Sequence, residues 1–269
     1  MKHISSADNP LFRQLQELLR SSRARESSGL AVIEGAHLVD AYLQSTREPP
    51  LLTVLSVADL DHPDIVRLAS ALPADRKVTF AARLFARLTP VAGSNGVLAM
   101  IPLSQVEAGE LLGRGGFQLW LDGIQDPGNA GSLIRSAAAA GAAAVVLGPG
   151  SADPWSPKCL RGGMGGHFAT WVHAARQPLP VLAGSFGGRI VAADAAAEPS
   201  LYETDLSEPV AVVLGNEGQG ISEALAACVH ARFRIPMAPR MESLNVAAAG
   251  AVICFERVRR VLRVQTRMR

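Results

Sequence analysis

Short apolar runs, interrupted only by Gln118, recur at residues 117–121, 143–147 and 210–214, and each ends in a polar or glycine-bearing turn. A strand with one face in water alternates apolar and polar residues. These runs do not alternate, so both of their faces need cover. Parallel strands with helices on either side meet that demand, and the stretches between the runs are long enough to be helical crossovers. The expected fold is α/β with a parallel sheet. Residues 137–144 look like low complexity, yet they parse as a helix, a stop at Gly141, and then a strand. The last element, from about 245 to 263, is apolar to its middle and basic beyond it.

The first hundred residues also alternate helix and strand signals. Asn9-Pro10 opens a helix with Phe12, Leu15, Leu18 and Leu19 at helical spacing. A buried strand is expected at 30–33, a helix at 35–44, a strand at 51–57, and a helix from Asp61. Strands at 76–80 and 96–101 complete a small α/β unit. The glycine-bearing stretch 102–116 breaks the pattern, which divides the chain into domains 1–104 and 117–269. A chain of 269 residues, 48% hydrophobic and 19% charged, supports two cores and excludes a disordered tail. The net charge of +2 is mild, so any anionic partner must be met by local patches. Cys159, Cys228 and Cys254 lie far apart without a CxxC pair, against both a disulfide framework and a zinc ribbon. The six histidines form no H-x-x-x-H pair, so no metal site is expected. Neither an apolar leader region nor a run of eighteen apolar residues occurs, so a cytoplasmic protein with no membrane partner is expected.

Three segments carry polar chemistry at strand ends, where open α/β sheets bind ligands. The first, 121–135, contains Asn129 and Arg135 six positions apart. Asn129 is either a helix cap or a ligand contact; Arg135 is either a solvated charge or a planar fork for phosphate. The second is Leu214-Gly215-Asn216-Glu217-Gly218-Gln219-Gly220. Its glycines allow the backbone to bend against a ligand. The pattern is neither G-x-G-x-x-G nor a Walker loop, against a nicotinamide oxidoreductase. A structural turn with a capping Glu217 is the plain alternative. The third is Ile235-Pro236-Met237 followed by Glu242-Ser243-Leu244-Asn245, where Ser243 and Asn245 could simply cap a helix. No G-x-S-x-G elbow is present, against an α/β-hydrolase.

In this order the three segments resemble the signature motifs of the SpoU (TrmH-like) RNA ribose 2′-O-methyltransferases, within the SPOUT superfamily. Asn129, Gly131, Arg135, Ala138 and Gly141 match the first motif, residues 214–220 the second, and residues 235–246 the third. Residues 151–161 resemble the loop linking the motifs, and Asn9-Pro10 with 29–35 resembles a preceding L30e-like substrate-binding domain. Two positions depart from the pattern: Gly163 and Ala247 stand where relatives commonly have Ser.

The resemblance implies a parallel sheet whose C-terminal part threads a trefoil knot, a homodimer with its active site at the subunit interface, and S-adenosylmethionine as cofactor. The implied reaction is ribose 2′-O-methylation of structured RNA, with ribosomal RNA favoured over transfer RNA. A non-catalytic RNA-binding dimer of the same fold is the alternative. By the same resemblance Leu214, Gly215, Gly218, Ile235, Pro236, Met237 and Leu244 hold the cofactor. Glu217 orients Arg135 or the acceptor, and Asn129, Ser243 and Asn245 bond the ribose, its phosphate or Arg135. Arg13, Arg20, Arg23 and Arg25 form a basic cluster that is either an RNA contact or a solvated helix face. Arg257, Arg259, Arg260, Arg263, Arg267 and Arg269, with no acid after Glu256, are either a solubilising tail or a second RNA contact.

Overall fold

The computed structural model describes residues 1–46, 48–89, 96–103, 113 and 115–267, without the side chains of 264, 265 and 267. Most of the boundary expected at 102–116, and Arg269, therefore lie outside the described residues. The first part of the chain forms β1 (Lys2–Ile4), α1 (Pro10–Arg20), α2 (Ser22–Ser28), β2 (Leu30–Glu34) and α3 (Ala36–Thr46). It continues through β3 (Leu52–Ser56), α4 (Pro63–Ala71), β4 (Lys77–Phe80), α5 (Ala82–Phe85) and β5 (Val97–Pro102). The second part forms β6 (Phe117–Asp122), α6 (Pro127–Ala139), β7 (Ala144–Leu147), α7 (Pro157–Gly163), β8 (Trp171–Ala174) and α8 (Leu179–Ala183). It ends with β9 (Arg189–Ala193), β10 (Val210–Gly215), α9 (Glu223–Ala226), β11 (Ala231–Phe233) and α10 (Val246–Arg267).

Two compact units result, Met1–Gln105 with Trp155–Phe168, and Val106–Pro154 with Ala169–Arg269. In the first, the strands are ordered β1-β4-β3-β5-β2, with β5 antiparallel to both neighbours. Successive residues of a strand serve opposite faces: Ala31 and Ile33 join one buried cluster, Val32 the other. The helix predicted from Asn9-Pro10 forms as α1, with the Asn9 Oδ1 accepting from the Leu11 N–H at 3.0 Å and Phe12, Leu15 and Leu18 buried. Residues 155–168, counted with the 117–269 stretch on sequence grounds, pack with the first unit instead. Their Leu160, Trp155 and Phe168 join the cluster of Ile33, Leu38 and Ile65. Burial of those apolar groups outweighs position in the chain.

The second unit is built on a sheet ordered β11-β9-β10-β6-β7-β8, parallel throughout. The three apolar runs are its centre: Leu119, Trp120, Leu121, Val145, Val146, Val212 and Val213 are buried. Strand β10, late in the chain, lies between β9 and the opening strand β6. The chain order thus reverses between β6 and β10, and the turns after those two strands are tied together, Asn216 donating to the Gly123 carbonyl and the Ser222 N–H to the Asp122 carboxylate. Strands β8, β9 and β11 were not read from the sequence. They are three to five residues long, and β8 and β11 lie at the sheet edges, where no continuous apolar run is required. Among the described residues no helix is long and apolar enough to cross a membrane.

Candidate active site

A cleft of about 370 Å³ opens at the carboxyl ends of β9, β10 and β11, closed on another side by the start of α10. Leu214, Ile235, Met237, Leu244, Val246 and Ala249 supply apolar wall; Asp194, Arg232, Glu217 and Ser243 supply polar groups. The backbone doubles back after β10: Asn216 N–H donates to Gly220 O at 2.9 Å, and Gly220 N–H returns a bond to Asn216 O at 2.8 Å. Asn216 fixes the turn, accepting from the Gly218 and Gln219 N–H groups and donating to Gly123 O at 2.9 Å. Gly215 stands so close to the returning strand that a Cβ there would collide with the Gly220 backbone and the Ile221 nitrogen. A glycine is required on steric grounds alone.

Beside the cleft a side-chain chain joins all three motif segments. Asn245 Nδ2 donates to Asn129 Oδ1 at 3.1 Å, and Asn129 Nδ2 donates to Glu217 Oε1 at 2.6 Å. These residues are 116 and 88 positions apart. Capping alone does not explain them. The N-cap of α6 is Asp126, whose carboxylate accepts from the Asn129 N–H at 2.9 Å, so the Asn129 side chain is free for other work. Asn245 does both jobs, accepting from the Ala247 and Ala248 N–H groups at 3.0 and 3.3 Å while its amide nitrogen reaches Asn129. Glu217 caps no helix among the described residues, and Asn129, not Arg135, is the partner it holds.

Arg135 is exposed on α6, and its guanidinium makes no hydrogen bond or ion pair among the described residues. Of the residues expected around a cofactor, Leu214, Gly215, Ile235, Met237 and Leu244 line the cleft, whereas Gly218 and Pro236 do not. Asp194 and Arg232, paired at 3.0 Å, were missed. Asp194 directly follows β9 and Arg232 lies on the short β11, both without any motif, and the β9–β11 pairing brings them to the cleft.

In the N-terminal basic cluster only Arg25 departs from the expectation of a surface cation. Arg25 is 4% exposed, its guanidinium turned inward to the Leu18 carbonyl. It braces α2 against α1 and does not face an external ligand. Arg13 pairs with Asp8 at 2.5 Å on the surface, and Arg20 and Arg23 are exposed. Arg257, Arg259, Arg260 and Arg263 are not on a loose tail, because they lie on α10, which extends to Arg267. Arg257 donates to Ala140 O and Glu208 and lies over the Phe117 ring. Glu256 accepts two bonds from Arg259 at 2.6 and 2.7 Å and one from Arg260 at 2.7 Å. The Arg259 bonds above all hold its carboxyl down to about 2, against the opposing effect of burial.

This geometry has known counterparts. The sequence profile of the SpoU rRNA Methylase family matches residues 116–255. The chain belongs to the SpoU family. It is 30% identical to a 23S rRNA guanosine 2′-O-methyltransferase of Bacillus subtilis over 95% of this chain and 98% of that one. It is 31% identical to an uncharacterized tRNA/rRNA methyltransferase of Synechocystis, covering 94% and 92%. The SpoU methyltransferase AviRb of Streptomyces viridochromogenes, solved with AdoMet, superimposes with a TM-score of 0.85 at 25% identity, covering 94% of this chain and 98% of AviRb. This SpoU-family chain is accordingly a methyltransferase that uses S-adenosylmethionine. The cleft suits such a molecule. Its volume lies in the range of small-molecule sites, with apolar wall for a purine and a few convergent polar groups.

Proposed function

We propose that this enzyme methylates a ribose 2′-oxygen of ribosomal RNA, and that the cleft between β9, β10, β11 and α10 holds its cofactor. The Asn245–Asn129–Glu217 chain carries this reading, because it ties three remote segments together where one of them, Glu217, faces the cleft. The whole-length relationship to a 23S rRNA enzyme supports ribosomal over transfer RNA.

Leu214, Ile235, Met237 and Leu244 would enclose the purine and sulfonium parts of the cofactor, Gly215 would let the backbone approach it, and Gly218 shapes the turn behind that wall. Pro236 stiffens the wall between Ile235 and Met237. Asp194 and Arg232 offer a carboxylate and a guanidinium to its hydroxyls and carboxylate. Bound there, S-adenosylmethionine supplies a methyl group on a positively charged sulfur. The protein's own task is to fix the acceptor oxygen in line with that methyl group and to favour its alkoxide character. Asn129, Glu217 and Asn245, locked by their mutual bonds, orient the ribose. Ser243, in the cleft wall with an open hydroxyl, completes the contact. Arg135 serves as a fixed cation: a guanidinium stays protonated in proteins, so it lowers the hydroxyl's pKa and holds the adjacent phosphate without taking a proton.

On this reading the C-terminal part is knotted, as in the SpoU fold, and the first unit is an L30e-like domain that recruits RNA. The enzyme works in the cytoplasm as a homodimer. An apolar stripe supports pairing: Phe255 and Leu262, seven residues apart on α10, are 52% and 57% exposed. The test is methyl transfer from labelled donor to ribosomal and transfer RNA of cells lacking the gene. Label at one alkali-resistant ribose in large-subunit RNA is expected. Label in transfer RNA alone would reassign the substrate, and no label in any RNA would leave only the RNA-binding dimer.

A further inference from the structure

Within the first unit, a second concavity of about 170 Å³ is lined by Arg20, Arg87, Arg161, Glu34 and Gln16 among others. Three guanidinium groups thus face one carboxylate. The Glu34 side chain, 10% exposed, accepts from Arg161 at 3.2 Å and sets the direction of that fork. Arg87 lies over the Phe12 ring with its guanidinium carbon 5.0 Å from the centroid, which fixes its plane. Arg20 stands at the end of α1. Neither the Arg20 nor the Arg87 guanidinium has a hydrogen bond or ion pair among the described residues. Like charges gathered in a concave wall repel unless an anion joins them, and preset planar forks match the oxygens of a phosphate.

The geometry points to a phosphate-binding pocket formed by Arg20, Arg87 and Arg161, which takes a backbone phosphodiester of the RNA substrate. This rests on the reading that the enzyme acts on RNA. It replaces the expected cluster of Arg13, Arg20, Arg23 and Arg25 with a different set, sharing only Arg20. Gln16 can add a neutral donor, and Glu34 acts only by positioning Arg161.

The test uses the full chain with Arg20→Ala, Arg87→Ala and their lysine counterparts, and in-vitro transcribed large-subunit ribosomal RNA as probe. Each alanine variant should weaken binding roughly five- to ten-fold at about 0.1 M salt and lower the log–log salt slope by about 1. The lysines should restore the slope and only part of the affinity, while calorimetric binding of S-adenosylmethionine stays unchanged. Should Arg87→Ala lose its fold with the Phe12 contact, Arg20→Glu alone must show the same loss. Unaltered affinity and slope in Arg20→Ala or Arg20→Glu, with wild-type methyl transfer intact, overturns the pocket and leaves the function standing. A reduced slope in an enzyme that methylates no RNA supports the pocket and removes the function. A third arm titrates inorganic phosphate against thermal unfolding. If phosphate stabilises the wild type and not the variants while RNA affinity is untouched, the pocket serves a free anion and the backbone assignment is overturned.

Discussion

Asp126 decides what Asn129 is for. Because the aspartate caps α6, the asparagine amide is released to bridge Glu217 and Asn245. Those bonds sit at the surface, so Asn129→Ala should lower the melting temperature little. It should lower the methyl-transfer rate by about a hundred-fold, since small misplacements of reacting groups are costly. Initial rates beside thermal melts will check both. Arg135→Ala should abolish transfer with cofactor affinity near wild type by calorimetry; loss of cofactor binding would move Arg135 off the RNA side. The Cys254 thiol, pushed up to about 12 by burial, should resist iodoacetamide in the native protein, whereas the half-buried Cys228 is labelled. Mass spectrometry of the alkylated chain reads this directly.

The turn after β10 and the helix α10 work as elements. The turn tolerates no side chain at Gly215, so Gly215→Ala must push the Gly220 strand into the cleft. Cofactor affinity should fall more than ten-fold, with about 1–3 kcal/mol of stability lost to overpacking. Helix α10 lies close on α6, where Gly250 meets Leu133 without room for a Cβ. Farther along, Arg260 donates to the Thr204 and Leu201 carbonyls and, with Arg259, grips Glu256. A carboxyl held at about 2 in the fold and near 4.5 without it favours the folded state above pH 4.5. That contribution fades as pH falls from about 4.5 towards 2. Glu256→Gln should flatten the loss of stability across that window in denaturant titrations at stepped pH.

At the scale of the whole molecule, strand order makes the site. The insertion of β10 between β9 and β6 sets the glycine-bearing turn beside the ends of β9 and β11 and the start of α10. If the exposed Phe255 and Leu262 face a second copy, Phe255→Glu should convert a dimer to a monomer by light scattering and reduce methyl transfer with it. Mapping ribose methylation across ribosomal and transfer RNA, with and without the gene, should show one site lost from large-subunit RNA.

The buried strand runs and the helix opened by Asn9-Pro10 can be read in the sequence itself, and the three motif segments, with five residues of the cleft wall, by their resemblance to the SpoU motifs. Each depends on local periodicity, on capping or on residues close together in the chain. The partners of Asn129, the inward turn of Arg25, the engagement of the C-terminal arginines, the placing of Asp194 and Arg232 at the cleft, and the packing of residues 155–168 with the first unit cannot. A hydrogen bond or a buried contact forms between groups that folding brings together. Whether an asparagine caps a helix or reaches another loop, or an arginine meets solvent or a carbonyl, depends on which polar groups arrive opposite it, and the order of strands in space sets that.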